Sequence, residues 1–192
     1  MVSAYLYSAF IAAVAAERLV ELRISRRNAA WAFERGGVEY GRRHYAWMKL
    51  LHTGFLAACV AEVWLAGRPF DARLGVPMLA LALGSQALRY WAIHSLGRHW
   101  NVRVIVVPGD PAVRRGPYRF LRHPNYLAVV LEGIALPLVH GAWITAVAFT
   151  VLNAILLTVR IRCEEAALAE HCAYDNRLGD RRRFFPSPQE AP

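Results

Sequence analysis

Cysteine is scarce in this 192-residue chain. Cys59, Cys163 and Cys172 stand far apart, with no CxxC pair and no even-numbered set. That spacing implies neither a disulfide framework nor a metal site. Acidic residues are few as well, 14 against 23 Lys+Arg, for a net charge of +9. The chain also lacks a phosphate-binding glycine loop, a zinc signature and a nucleophile–base triad. No basic region precedes the first apolar run, and no small-residue cleavage site follows it. That run is expected to be a retained membrane span rather than a signal peptide.

What the chain does have is apolar residues in blocks. They make up 56% of it, with mean hydropathy +0.24, high for a protein so rich in arginine. Blocks rather than stripes predict a small polytopic membrane protein, short enough for a single domain over 1–192. The arginines alternate in the same way: six in 23–43, two in 66–75, six in 97–122 and six in 160–183. Rich and poor loops in turn are the positive-inside pattern, and they argue against nucleic acid as the partner.

The predicted architecture is all-α and integral to the membrane, with about five segments. Three N-terminal spans are expected at 2–20, 45–65 and 76–96, with residues 29–43 a polar connector. The half from 97 to 192 holds a long polar stretch, then two apolar segments, 126–139 and 142–159. Only His140-Gly141 separates them. Each is near the lower length limit for a span, so a helical hairpin is expected. A charged tail helix from 160 to about Tyr174 follows. With the N-terminus outside, all three arginine-rich stretches fall on the cytoplasmic face of what is expected to be a bacterial inner membrane.

Several polar side chains fall at membrane depth, where they are costly and face a bundle interior or a wet cavity. Glu17, Glu21 and Asn28 share one face at spacings of four and seven. They either pair with neighbouring arginines or shape a polar pocket. Glu132 either meets a polar partner from another helix or stays protonated. Arg89 and His94 sit towards the cytoplasmic end of the third span.

The most informative stretch is Gly116-Pro-Tyr-Arg-Phe-Leu-Arg-His-Pro-Asn-Tyr126. Gly116-Pro117 marks a turn, and Pro124 is placed to begin a helix. Such a helix presents N–H groups and a positive dipole end beside His123, which suits an anionic ligand group. An interfacial turn with Arg119 and Arg122 at lipid headgroups is the plainer reading. Arg160 and Glu164 are four apart, on one helix face, where they either form a surface ion pair or grip one ligand. Taken with Tyr118 and Tyr126, these groups suit a zwitterionic, cationic cofactor.

Gly116-Pro-Tyr118, Arg122-His-Pro-Asn-Tyr126 and, after a hairpin, Arg160-Ile-Arg-Cys-Glu-Glu165 together resemble the isoprenylcysteine carboxyl methyltransferase family over residues 94–175. Tyr174 is similar in placement to a tyrosine of the family tail. The front half, with Glu17-Arg-Leu-Val-Glu21 and Arg26-Arg-Asn28, looks like the bacterial branch associated with alkylpyrones and alkylresorcinols. The resemblance implies S-adenosylmethionine as cofactor, no metal, and methylation of an oxygen on a lipophilic acceptor from the membrane. It implies that Tyr118, His123, Pro124, Asn125, Tyr126 and Glu164 bind the cofactor, and that Asp110, Pro111, Ala112 and Val113 lie along it. Arg160 would be catalytic, orienting the acceptor oxygen. One departure is Ala128, where the family commonly has glycine.

Three other readings fit parts of the same pattern. They are a phospholipid N-methyltransferase, a sterol-reductase-like NADPH enzyme, and a membrane scaffold that binds anionic lipid.

Overall fold

A computed structural model describes residues 1–172 and 182–184. It contains five long helices: α1 (Val2–Phe33), α2 (Arg42–Leu65), α3 (Ala72–Leu96), α4 (Pro124–Leu138) and α5 (Trp143–His171). Among the described residues, α1, α2 and α5 are long and apolar enough to cross a membrane. The helix α3 is 25 residues long but carries Gln86 and Arg89. The apolar α4 has 15 residues, about 22 Å at 1.5 Å per residue, short of a hydrocarbon core of about 30 Å. The outer face of α5 is a stripe of exposed Ile144, Val147, Val151, Ile155 and Val159, a surface a bilayer accepts and water does not.

Three elements differ from expectation. The first helix does not stop at the membrane edge but runs on to Phe33, so the connector begins later than residue 29. The charged tail helix is not a separate element; it is the last three turns of α5. The fold is not purely helical, because β1 (Val38–Tyr40) pairs antiparallel with β2 (Val104–Val106), with Glu39 opposite Ile105. Strands of three residues leave too little alternation for periodicity to find. Tyr174 lies outside the described residues.

The apolar core joins Tyr7, Ile11 and Val14 of α1 to Phe55, Cys59 and Val63 of α2, and to Ala135, Leu136 and Phe149 of the last two helices. The Phe55 and Phe149 rings lie 4.0 Å apart. Between this core and the polar face sits a layer of ion pairs. Arg18 donates to Glu132 at 2.6 Å and to Glu21 at 2.7 Å, while Arg89 grips Glu21 through two bonds of 2.7 Å. Glu132 thus has its partner on α1, and a guanidinium buried with matching carboxylates satisfies both at low dielectric.

The same face of α1 anchors the polar half. Ser25 Oγ donates to Asn101 Oδ1 at 2.8 Å and accepts from the Val102 amide at 3.2 Å. Asn28 Nδ2 donates to the carbonyls of Gly97 and Trp100. Glu21, Ser25 and Asn28 are all buried, one row at spacings of four and three that binds α1 to α3 and the stretch after it.

Candidate functional site

The middle of the polar stretch before α4 is tied to the C-terminal end of α5. The Gly109 amide donates to the carbonyl of His171 at 3.0 Å, and the Ala112 amide to that of Cys172 at 3.3 Å. These bonds lay Asp110, Pro111, Ala112 and Val113 along one wall. The chain then turns at Gly116, whose φ of +57° suits a residue without Cβ; a Cβ there would meet Ser95 Oγ at 1.9 Å. Pro117 and Tyr118 follow in a short 3-10 turn, and both are buried.

As the Pro124 geometry predicts, α4 begins at that residue, with His123 capping it. Not every N–H at this end faces outward. The Tyr126 amide bonds back to the His123 carbonyl at 3.1 Å, and the His123 amide donates to the Arg183 carbonyl at 3.2 Å.

The resulting cleft encloses about 930 Å³, the open solvent at its mouth included. Asp110, Pro111, Ala112, Val113, Tyr118, His123, Asn125, Tyr126, Arg160 and Glu164 all line it. Pro124 does not; it is fully buried behind the lining. Trp100, Asn101 and Arg103 also line the cleft, though nothing in their spacing marks them out in the sequence.

At its floor, Arg160 Nε donates to the Tyr126 hydroxyl at 2.7 Å, and that hydroxyl donates in turn to Glu164. A cation, a phenol and a carboxylate therefore form one chain, and both Arg160 and Tyr126 are buried. The His123 and Tyr126 rings stack at 5.3 Å with a 22° tilt.

The spacing singles out Glu164, but Glu165 has an equally close role. Its Oε1 lies 3.0 Å from His123 Nε2 and accepts from Arg183 Nε at 3.0 Å. No sequence pattern reveals a contact across 42 residues.

Two lining side chains keep a buried polar atom with no hydrogen-bond partner among the described residues, Asn125 Oδ1 and Trp100 Nε1. In native folds the great majority of such atoms are paired with protein, ordered water or a bound group. Burial pushes the thiol of Cys172 up from its ordinary pKa, and the Asp110 carboxylate adds to the effect. Among the described residues there is no group of His, Cys, Asp and Glu that would hold a metal ion.

A membrane-embedded helical bundle with a polar cleft at one end defines an integral membrane protein. The chain belongs to the isoprenylcysteine carboxyl methyltransferase family, whose profile matches residues 78–170, so it is a membrane methyltransferase by family. It is 40% identical over 162 residues to an uncharacterized protein, YpbQ, of Bacillus subtilis, which spans 84% of this chain and 95% of that one. An uncharacterized protein of Haemophilus influenzae is 29% identical over 161 residues, spanning 82% of this chain and 92% of the relative.

Proposed function

We propose that this protein is an S-adenosylmethionine-dependent O-methyltransferase acting on a lipophilic acceptor from the bilayer, isoprenylcysteine-like or alkylpyrone-like. The observation that carries this reading is the Arg160–Tyr126–Glu164 chain, which links a cation to an anion where a polar cleft meets apolar helices.

The cleft's donor set suits that cofactor. Asn125 Oδ1 is an unpaired acceptor for an amine or hydroxyl, and Trp100 Nε1 an unpaired donor for a carboxylate or ring nitrogen. Glu164 binds the amine, while Tyr118, Tyr126 and His123 offer aromatic faces to a cationic centre. Asp110, Pro111, Ala112 and Val113 line its length, and Pro124 orders the turn that carries His123 and Asn125. The bound cofactor supplies a methyl group on a sulfonium.

Arg160 holds the acceptor oxygen by charge and hydrogen bonding, and its tie to Tyr126 keeps the guanidinium from rotating away. Positioning of this kind is what the chain itself contributes to the rate.

The arginine distribution supports five membrane segments in a bacterial inner membrane, with the N-terminus outside and the cleft facing the cytoplasm. Residues 1–96 and 97–192 then work as one domain, because the polar row on α1 braces the cleft's wall.

Calorimetry with detergent-purified protein tests this reading. Wild type should bind S-adenosylmethionine, and Glu164→Ala and Tyr126→Ala should both weaken binding. A folded wild type that does not bind would refute it.

A further inference from the structure

A second cavity lies in the groove between α1 and α3, with Glu132 and Leu136 of α4 at its floor. It encloses about 580 Å³, the open mouth included, and shares no lining residue with the cleft. That size is within the range of small-molecule sites, about 300–1,000 Å³. Long polar side chains, rather than close backbone packing, join α1 to α3 here. Glu17 and Arg18 both reach Gln86, and Glu21 reaches Arg89. Leu83 and Tyr90 on the rim are exposed, so the groove opens on the outer surface of the bundle.

The cavity has two unlike ends. Phe10, Val14, Leu83 and Leu136 make one apolar, and Glu17, Gln86, Tyr90 and Glu132 make the other polar. Two turns of α1, about 11 Å, separate Phe10 from Glu17. The polar end carries anions without a cation: among the described residues no Lys, Arg or His borders the cavity. Around it Glu17, Glu21 and Glu132 are paired with only Arg18 and Arg89, which leaves one carboxylate over. Arg18 lies 2.6 Å from Glu132 and 2.7 Å from Glu21, but 3.9 Å from Glu17. Glu132 is 8% exposed; its Oε1 accepts from Arg18, and its Oε2 accepts no hydrogen bond among the described residues. A buried anionic oxygen without a donor is costly. A proton would cancel the charge and fill nothing, whereas an ammonium group on an alkyl chain does both.

We propose that this groove binds an amine-bearing lipid, its primary ammonium at Glu17 and Glu132 and one alkyl chain along the apolar end. An alkylamine, like a lysine side chain, is protonated near neutral pH. Its N–H groups reach the free Glu132 oxygen, and its chain passes Val14 towards Phe10 and Leu136. The apolar surface of the gap is then covered. This site goes beyond the methyltransferase reading and does not depend on it.

The test titrates full-length protein in an uncharged detergent with dodecylamine, lauric acid and dodecanol, counting bound probe by native mass spectrometry. One dodecylamine should bind, about tenfold or more tighter than either other probe, the weight of a hydrogen bond to a charged group. Glu17→Gln removes an anion, and Ala13→Phe puts a ring into the groove from its exposed rim. Both leave the Arg18–Glu132 and Arg89–Glu21 bonds in place, and each should weaken dodecylamine about tenfold. Phosphatidylethanolamine retained through purification and displaced by dodecylamine would make a membrane aminophospholipid the natural ligand. Dodecylamine binding with no such lipid retained would make it a free long-chain amine. Equal binding of the three probes, or full dodecylamine affinity in both variants, would overturn the proposal. Affinity for S-adenosylmethionine should be the same in wild type and variants, so a failure here is distinct from a failure of the cofactor site.

Discussion

Arg160 and Tyr126 are 34 residues apart in the chain and 2.7 Å apart in space, the guanidinium Nε donating to the phenol oxygen. The Tyr126 hydroxyl both accepts and donates here, so it is the shared partner of Arg160 and Glu164, and displacing it breaks both bonds.

Replacing Arg160 by Ala should lower kcat by about 100-fold, the scale on which misplacing a reacting group acts, and change cofactor affinity far less. Steady-state kinetics beside calorimetry separates the two. Equal turnover in variant and wild type would remove Arg160 from the reaction.

Tyr126→Phe removes the hydroxyl and keeps the ring. Because the hydroxyl links the two charged groups, cofactor binding should weaken about tenfold, close to 1.4 kcal/mol, measured by titration. The lost hydroxyl also leaves the buried Arg160 Nε without its acceptor, so the thermal midpoint in detergent should fall, at a cost of about 1–3 kcal/mol.

Arg18→Ala should destabilise the bundle without touching the cleft. It strips Glu132 of its partner on α1 and half of the charge compensation from Glu21. Breaking one side of a buried pair costs about 3–5 kcal/mol. A lower thermal midpoint in detergent, with cofactor affinity per folded molecule unchanged, is the expected result.

Cys172 should resist alkylation. Its raised pKa means less thiolate at any given pH, since a thiol reacts only once deprotonated. Maleimide labelling of the folded protein should therefore rise at higher pH than for a free thiol. Asp110→Asn should move that rise down slightly, because it removes the smaller of the two causes.

How far the sequence could be read depended on the range of the force involved. The start of α4 was legible because a proline fixes φ and bars the preceding residue from the α region. The Arg160/Glu164 face was legible because 3.6 residues make a turn. The extension of α1 to Phe33 was not, since its last turns are polar and are held by Asn28 and Ser25 bonding to residues 97–102. Glu165 stood in the motif without a role for the same reason: its partner is His123, 42 residues away.

The sequence by itself determined that this is a membrane protein of apolar helices, with its arginines gathered beside particular spans and its family motif in order. Hydropathy, helical period and proline geometry act within a few turns, so residues near in the chain suffice to state them. Only the tertiary structure decided that Glu132 meets Arg18, that β1 meets β2, and that α2 brings Met48 to Arg160. Those pairings depend on how helices lie against one another, and low-dielectric packing sets that arrangement by matching charges and volumes that no local window contains.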